Sequence, residues 1–179
     1  MRKIAKRIVF LTLTLALLWT ETVFAKPKEQ QRLSGLPEEE SVLLPGTIKS
    51  SIGKETVATR SKALASALCV ITNTEKGIIH VYAETLMFQS VDWAALTIYL
   101  EKQDESTGKW KVVETFEKEF TPADKEDGQL TSVELSIDVG TQPVGYYYRL
   151  RCIHELEYDN GWYEAKSTKT DGVLLTNIK

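Results

Sequence analysis

The chain has 179 residues, 42% of them hydrophobic, with 22 Lys and Arg against 25 Asp and Glu and a formal net charge of -3. That length suits one domain plus a tail, and an acidic balance with interleaved lysines argues against a dominant electrostatic surface for nucleic acid. Two histidines and two cysteines with no His-x-x-x-His or Cys-x-x-Cys spacing argue against a zinc site, so neither a metal nor a cofactor is expected.

Arg2, Lys3, Lys6 and Arg7 precede an almost unbroken apolar run over 8–19, and Val23-Phe24-Ala25 follows it. That order is a secretory signal over 1–25, cut after Ala25. A membrane span needs about 20 apolar residues. Here Glu21 ends the run early, so no stable membrane insertion is expected after cleavage. A retained N-terminal anchor is the alternative. Loss of the four basic residues makes the exported part more acidic. The expected destination is extracellular, with or without cell-surface association.

Residues 26–62 read as a flexible linker. They hold Pro27, Pro37, Pro45, Gly35, Gly46, Gly53 and the acidic run Glu38-Glu39-Glu40, and no strong period of 3.6 or 2 survives there. Leu44-Pro45-Gly46-Thr47 superficially resembles a sortase signal, but no apolar tail follows it, and it reads as a turn.

The texture changes at 63–179. Short runs of β-branched and aromatic residues alternate with turn signals, as in an all-β domain. Strands are predicted over 64–72, 78–88, 94–102, 110–120, 130–139, 145–157 and 162–176, the last interrupted at Asp171-Gly172. Ile79, Val81 and Ala83 share one face of the second, and Leu96, Ile98 and Leu100 one face of the third. Trp110, Val112, Phe116 and Phe120 are placed in one register on the fourth, and Val133, Leu135, Ile137 and Val139 on the fifth. Asn160-Gly161 predicts a type I′ hairpin turn. Seven short strands without a convincing amphipathic helix predict a single antiparallel β-sandwich of immunoglobulin or fibronectin type III kind, with a small barrel as the alternative.

Cys69 and Cys152 are an even pair, 83 residues apart. In an exported protein such a pair suggests a disulfide, worth about 4 kcal/mol if unstrained. Two buried free thiols are the other reading, since cysteine is a common core residue. Geometry decides between them.

The sixth strand carries Gly145-Tyr146-Tyr147-Tyr148-Arg149-Leu150-Arg151-Cys152-Ile153-His154. It resembles the sixth strand of immunoglobulin-like sandwiches, where a tyrosine near the strand's start ties the corner through its hydroxyl. Tyr148 takes that place, with Tyr148, Leu150 and Cys152 on the inward face. Together with the Tyr99-Leu100-Glu101-Lys102 strand and Gly108-Lys109-Trp110, the run is similar to a family of small secreted proteins of Gram-positive bacteria. That family has no assigned function, so the resemblance transfers no mechanism and no site residues.

No catalytic residue is assigned. Cys152 and His154 point the same way from one strand but stand too far apart for proton transfer. The carboxylates Glu114, Glu117, Glu119, Asp124, Glu126, Asp127, Glu155 and Glu157 are scattered, and Asp124-Lys125-Glu126-Asp127-Gly128 does not match a regular calcium loop. The best binding candidate is the outward face opposite Tyr148, with Tyr147, Arg149 and Arg151, joined by Tyr99 and Trp162 from neighbouring strands. Aromatic rings beside guanidinium groups suit sugar rings or a partner protein. Ordinary cross-strand pairing with Glu101 and Glu164 is the competing reading. The sequence thus points to a non-enzymatic binding module for a cell-envelope glycan or surface protein. A carboxylate-dependent hydrolase of wall material and a subunit of a surface assembly are the alternatives.

Overall fold

Nine strands build the fold in the computed structural model, which describes residues 41–56, 61–140, 142–159 and 161–177. They are β1 (Ser50–Thr56), β2 (Leu64–Asn73), β3 (Ile79–Met87), β4 (Trp93–Gln103), β5 (Trp110–Phe120), β6 (Ser132–Val139), β7 (Tyr147–Tyr158), β8 (Trp162–Lys169) and the short β9 (Val173–Leu174). One sheet has the order β1-β2-β3-β6 and the other β5-β4-β7-β8, with β9 also on β7. All strand pairs are antiparallel. This is the predicted all-β sandwich. The signal segment and the linker up to residue 40 lie outside the described residues.

Period-two alternation drives the packing. Ile79, Val81 and Ala83 of β3 meet Leu96, Ile98 and Leu100 of β4 and Tyr148, Leu150 and Cys152 of β7 in one core. The Tyr148 hydroxyl donates to the Pro143 carbonyl at 2.8 Å and fixes the β6–β7 corner, as predicted. Among the described residues, no helix is long and apolar enough to cross a membrane.

Three elements depart from the sequence reading. β1 lies inside the segment read as linker. Its one apolar side chain, Ile52, is 67% exposed, while Ser51 is buried, so no hydrophobic alternation announced a strand. Gly53 faces β8 so closely that a Cβ would stand 2.0 Å from the Lys169 carbonyl oxygen. The second departure is a register shift between β4 and β5. Leu100 pairs with Glu114 but Glu101 with Val112, so Val113 is extra. This bulge puts Trp110 and Val112 out of phase with Phe116 and Phe120. Val113 and Phe116 pack on the core, whereas Trp110 meets Arg149 on the outer face. Third, Tyr158 pairs with Trp162, which leaves three residues in the last hairpin where a type I′ turn has two. Asp159 takes φ 48 and Gly161 φ 114 there, and Asn160 lies outside the described residues.

Candidate functional site

The five residues proposed as a binding face do not share one open surface. Glu101 on β4 stands opposite Arg149 on β7, and Tyr99 opposite Arg151. The Glu101 carboxylate accepts from Arg149 Nε at 2.6 Å and from Arg151 Nε at 2.8 Å, and Arg151 Nη2 also donates to it. The Arg149 and Glu101 side chains are 2% and 1% exposed. Arg149 Nη1 donates to Ser41 Oγ at 2.9 Å, and its guanidinium lies 4.5 Å from the Trp110 ring centre. Residues 41–44 form the strap that brings Ser41 here. The Ser41 hydroxyl donates to the Thr170 carbonyl, Val42 N–H to the Asp171 carboxylate and Gly172 N–H to the Val42 carbonyl. These guanidinium donors are thus engaged within the protein. Tyr99 is buried. Tyr147 is half-buried, opposite Leu174 of β9.

Trp162 stands apart from that group. Its cross-strand partner Tyr158 has the phase of Cys152 on β7, so Trp162 belongs to the other side of the sheet from Arg149 and Arg151. It is 62% exposed. Glu164, two residues on, accepts hydrogen bonds from Ser61 Oγ and Tyr158 Oη at 2.5 Å each, Lys62 N–H at 3.1 Å and Leu64 N–H at 3.3 Å. Burial pushes the Glu164 carboxyl up, but those four donors outweigh it and hold it at about 2. One ionised carboxylate therefore clamps 61–64 onto the β7–β8 hairpin.

That clamp sets Lys62 Nζ over the Trp162 ring, 5.2 Å from its centre. The next residue, Ala63, accepts from Phe88 N–H at 2.7 Å, and the Phe88 ring is 68% exposed. Two large exposed rings are thus tied to the same dipeptide. The loops at this end are bound to one another. Val91 N–H donates to the Leu130 carbonyl, Leu130 N–H to Ser90 Oγ and Asp92 N–H to the Glu157 carbonyl. Sequence reasoning found Trp162 but missed Phe88 and Lys62.

Several other titratable groups have structural partners. Asp124 accepts from Thr121 N–H and Oγ1, the cause of its lowered pKa. Asp127 accepts from Gln129 N–H. No group of three or more His, Cys, Asp or Glu among the described residues could hold a metal ion. His80 Nδ1 lies 2.7 Å from Asp138 Oδ1 and its Nε2 3.5 Å from Ser136 Oγ. This row sits on the open face of the first sheet, with Asp138 69% exposed. Solvent access deprives it of the water-excluded surroundings that a nucleophilic relay uses. His154 lies in the core, bonded through Nδ1 to Thr85 Oγ1 at 2.8 Å and through Nε2 to Thr168 Oγ1 at 2.9 Å. Cys69 and Cys152 are both buried thiols.

No protein-family model, no curated protein and no solved structure matches the chain.

Proposed function

We propose that the chain is an exported, non-enzymatic binding module that holds a cell-envelope glycan at the Phe88–Lys62–Trp162 end of its sandwich. The observation that carries this reading is the pair of rings exposed at 68% and 62% on a hydrogen-bonded frame. Large apolar side chains held in water by a rigid support favour a surface that a partner will cover. Sugar rings present apolar C–H faces to such rings, and the Lys62 ammonium offers a donor beside them. The compartment suggested by the signal segment is where envelope polymers are met.

The test is co-sedimentation of residues 26–179 with intact cell walls, before and after removal of wall glycans. Binding that disappears with the glycans supports the reading. Phe88→Ala with Trp162→Ala should then abolish it, with the circular dichroism spectrum unchanged. Binding that survives glycan removal points to a surface protein instead. Full binding by the double variant places the contact elsewhere.

A further inference from the structure

Cys69 and Cys152 sit on β2 and β7, strands of different sheets. Cys69 is flanked by Gly53 and Ala83, and Cys152 by Ile98 and Thr168. Both side chains are 0% exposed and belong to the shared core. Each thiol shifts the other's titration, and Thr168 shifts both. We infer that these two sulfurs close into an inter-sheet disulfide and that the bond forms before the sheets have packed.

Three observations carry the first half. The two side chains enter one core from facing sheets, near enough for each thiol to shift the other's titration. They are the only cysteines in the chain, so one intramolecular pairing exists. Both side chains lie wholly within the single core that the two sheets share. The inference takes from the proposed function only that the chain folds in an oxidising compartment.

Burial carries the second half. Exchange begins when a thiolate attacks a sulfur of a disulfide-bearing oxidant, a small molecule or a protein. In the packed sandwich that oxidant cannot reach a fully buried sulfur. Burial also pushes the Cys152 thiol well above its ordinary value and suppresses its thiolate, while the neighbouring Cys152 lowers Cys69, so at Cys69 the bar is access and not ionisation. In the open chain both obstacles vanish. One cysteine thiolate attacks the oxidant and expels one of its two thiolates, leaving a mixed disulfide. The other cysteine attacks that mixed disulfide and expels the second thiolate. Two electrons pass to the oxidant, and the two S–H protons end on the two thiols it releases. Packing then shields the new bond from reductants by the same exclusion.

The test refolds the full chain, denatured and reduced, in a glutathione buffer holding both redox forms, which separates the chemistry from the protein's location. The product is then alkylated in denaturant and weighed. The expected result is no alkylation until a reductant is added, and two alkylated thiols afterwards. Two alkylated thiols without reductant would overturn the disulfide. Cys152→Ser, which removes the partner, should leave Cys69 open to alkylation or to a glutathione adduct. The order of events is read by adding oxidised glutathione to protein folded in its reduced form. Closure should be at least ~100-fold slower than in the unfolded chain, because it waits for opening. Equal rates would overturn the claim that closure precedes packing.

Discussion

Acid should reach the core of this protein through His154. The ring is fully buried between the two sheets, with a threonine hydroxyl on each nitrogen. A neutral imidazole donates at one nitrogen and accepts at the other, and two hydroxyls complement either tautomer. Burial pushes its pKa down from 6.5 to about 4. The unfolded chain therefore takes up a proton near 6.5, while the folded chain resists until about 4. Between those values the unfolded state holds more protons, so stability rises with pH. The contribution is complete above 6.5 and lost as pH falls to about 4. A gap of about 2.5 between the two pKa values, at about 1.4 kcal/mol per unit, makes the loss about 3 kcal/mol. That is a large share of the 5–15 kcal/mol typical of a domain. Urea unfolding of the reduced protein at about pH 7 and about pH 4, beside His154→Gln, measures it. Glutamine keeps a donor and an acceptor but does not titrate. The carboxylates titrate alike in both proteins and cancel in the difference. The wild type should lose about 3 kcal/mol more than the variant. Equal losses would refute the reasoning.

Gly53→Ala should destabilise by about 3 kcal/mol or more, since its Cβ would stand 2.0 Å from the Lys169 carbonyl oxygen. An unchanged thermal midpoint would show that β1 and β8 are not held this close. Glu101→Gln removes the carboxylate shared by two guanidinium groups and should cost about 3–5 kcal/mol in urea unfolding. Arg151→Met leaves the Arg149–Glu101 pair intact and should cost about 1 kcal/mol, so the reverse ranking would contradict the assigned pairing. Tyr148→Phe keeps the ring in the core but removes the bond to the Pro143 carbonyl. Its expected cost is about 1 kcal/mol, and no shift in the urea midpoint would mean that the hydroxyl does not hold the corner.

The sandwich was legible wherever alternation was strong. β3, β4, β6 and β7 were read with their inward faces, and Tyr148 with its tie, because burial on one side leaves a period of two in the residues. β1 escaped because its inward positions are a serine and a glycine, chosen by close approach to β8 and not by hydrophobicity. The bulge at Val113 escaped for a related reason. One extra residue inverts the phase of all that precedes it, and nothing in Trp110-Lys111-Val112-Val113 marks where.

The candidate site was half legible. Phase placed Arg149 and Arg151 opposite the core, which is correct, but phase does not say what covers a face. Trp110, moved outward by the bulge, and Ser41, brought in by the strap along 171–172, meet Arg149 from 39 and 108 residues away in the chain. Trp162 was named for its neighbouring strand as part of the Arg149–Arg151 face; it is exposed, but on the other side of the sheet. Phe88, just past β3, keeps the outward phase of His80, Tyr82 and Glu84, so its side follows from the period of two, whereas its tie to Ala63 depends on a backbone bond between segments far apart in the chain. Lys62 joins the rings through Glu164, a residue the sequence offered only as a cross-strand counter-ion.

Amide NMR of the chain, titrated with soluble wall-glycan fragments, tests the central claim most directly. The account expects shifts confined to residues 61–64, 88–91 and 162–164, with the Trp162 indole signal among the most affected. Shifts gathered instead on β4 and β7 around Tyr99, Arg149 and Arg151 would contradict it, as would an unchanged spectrum at saturating fragment.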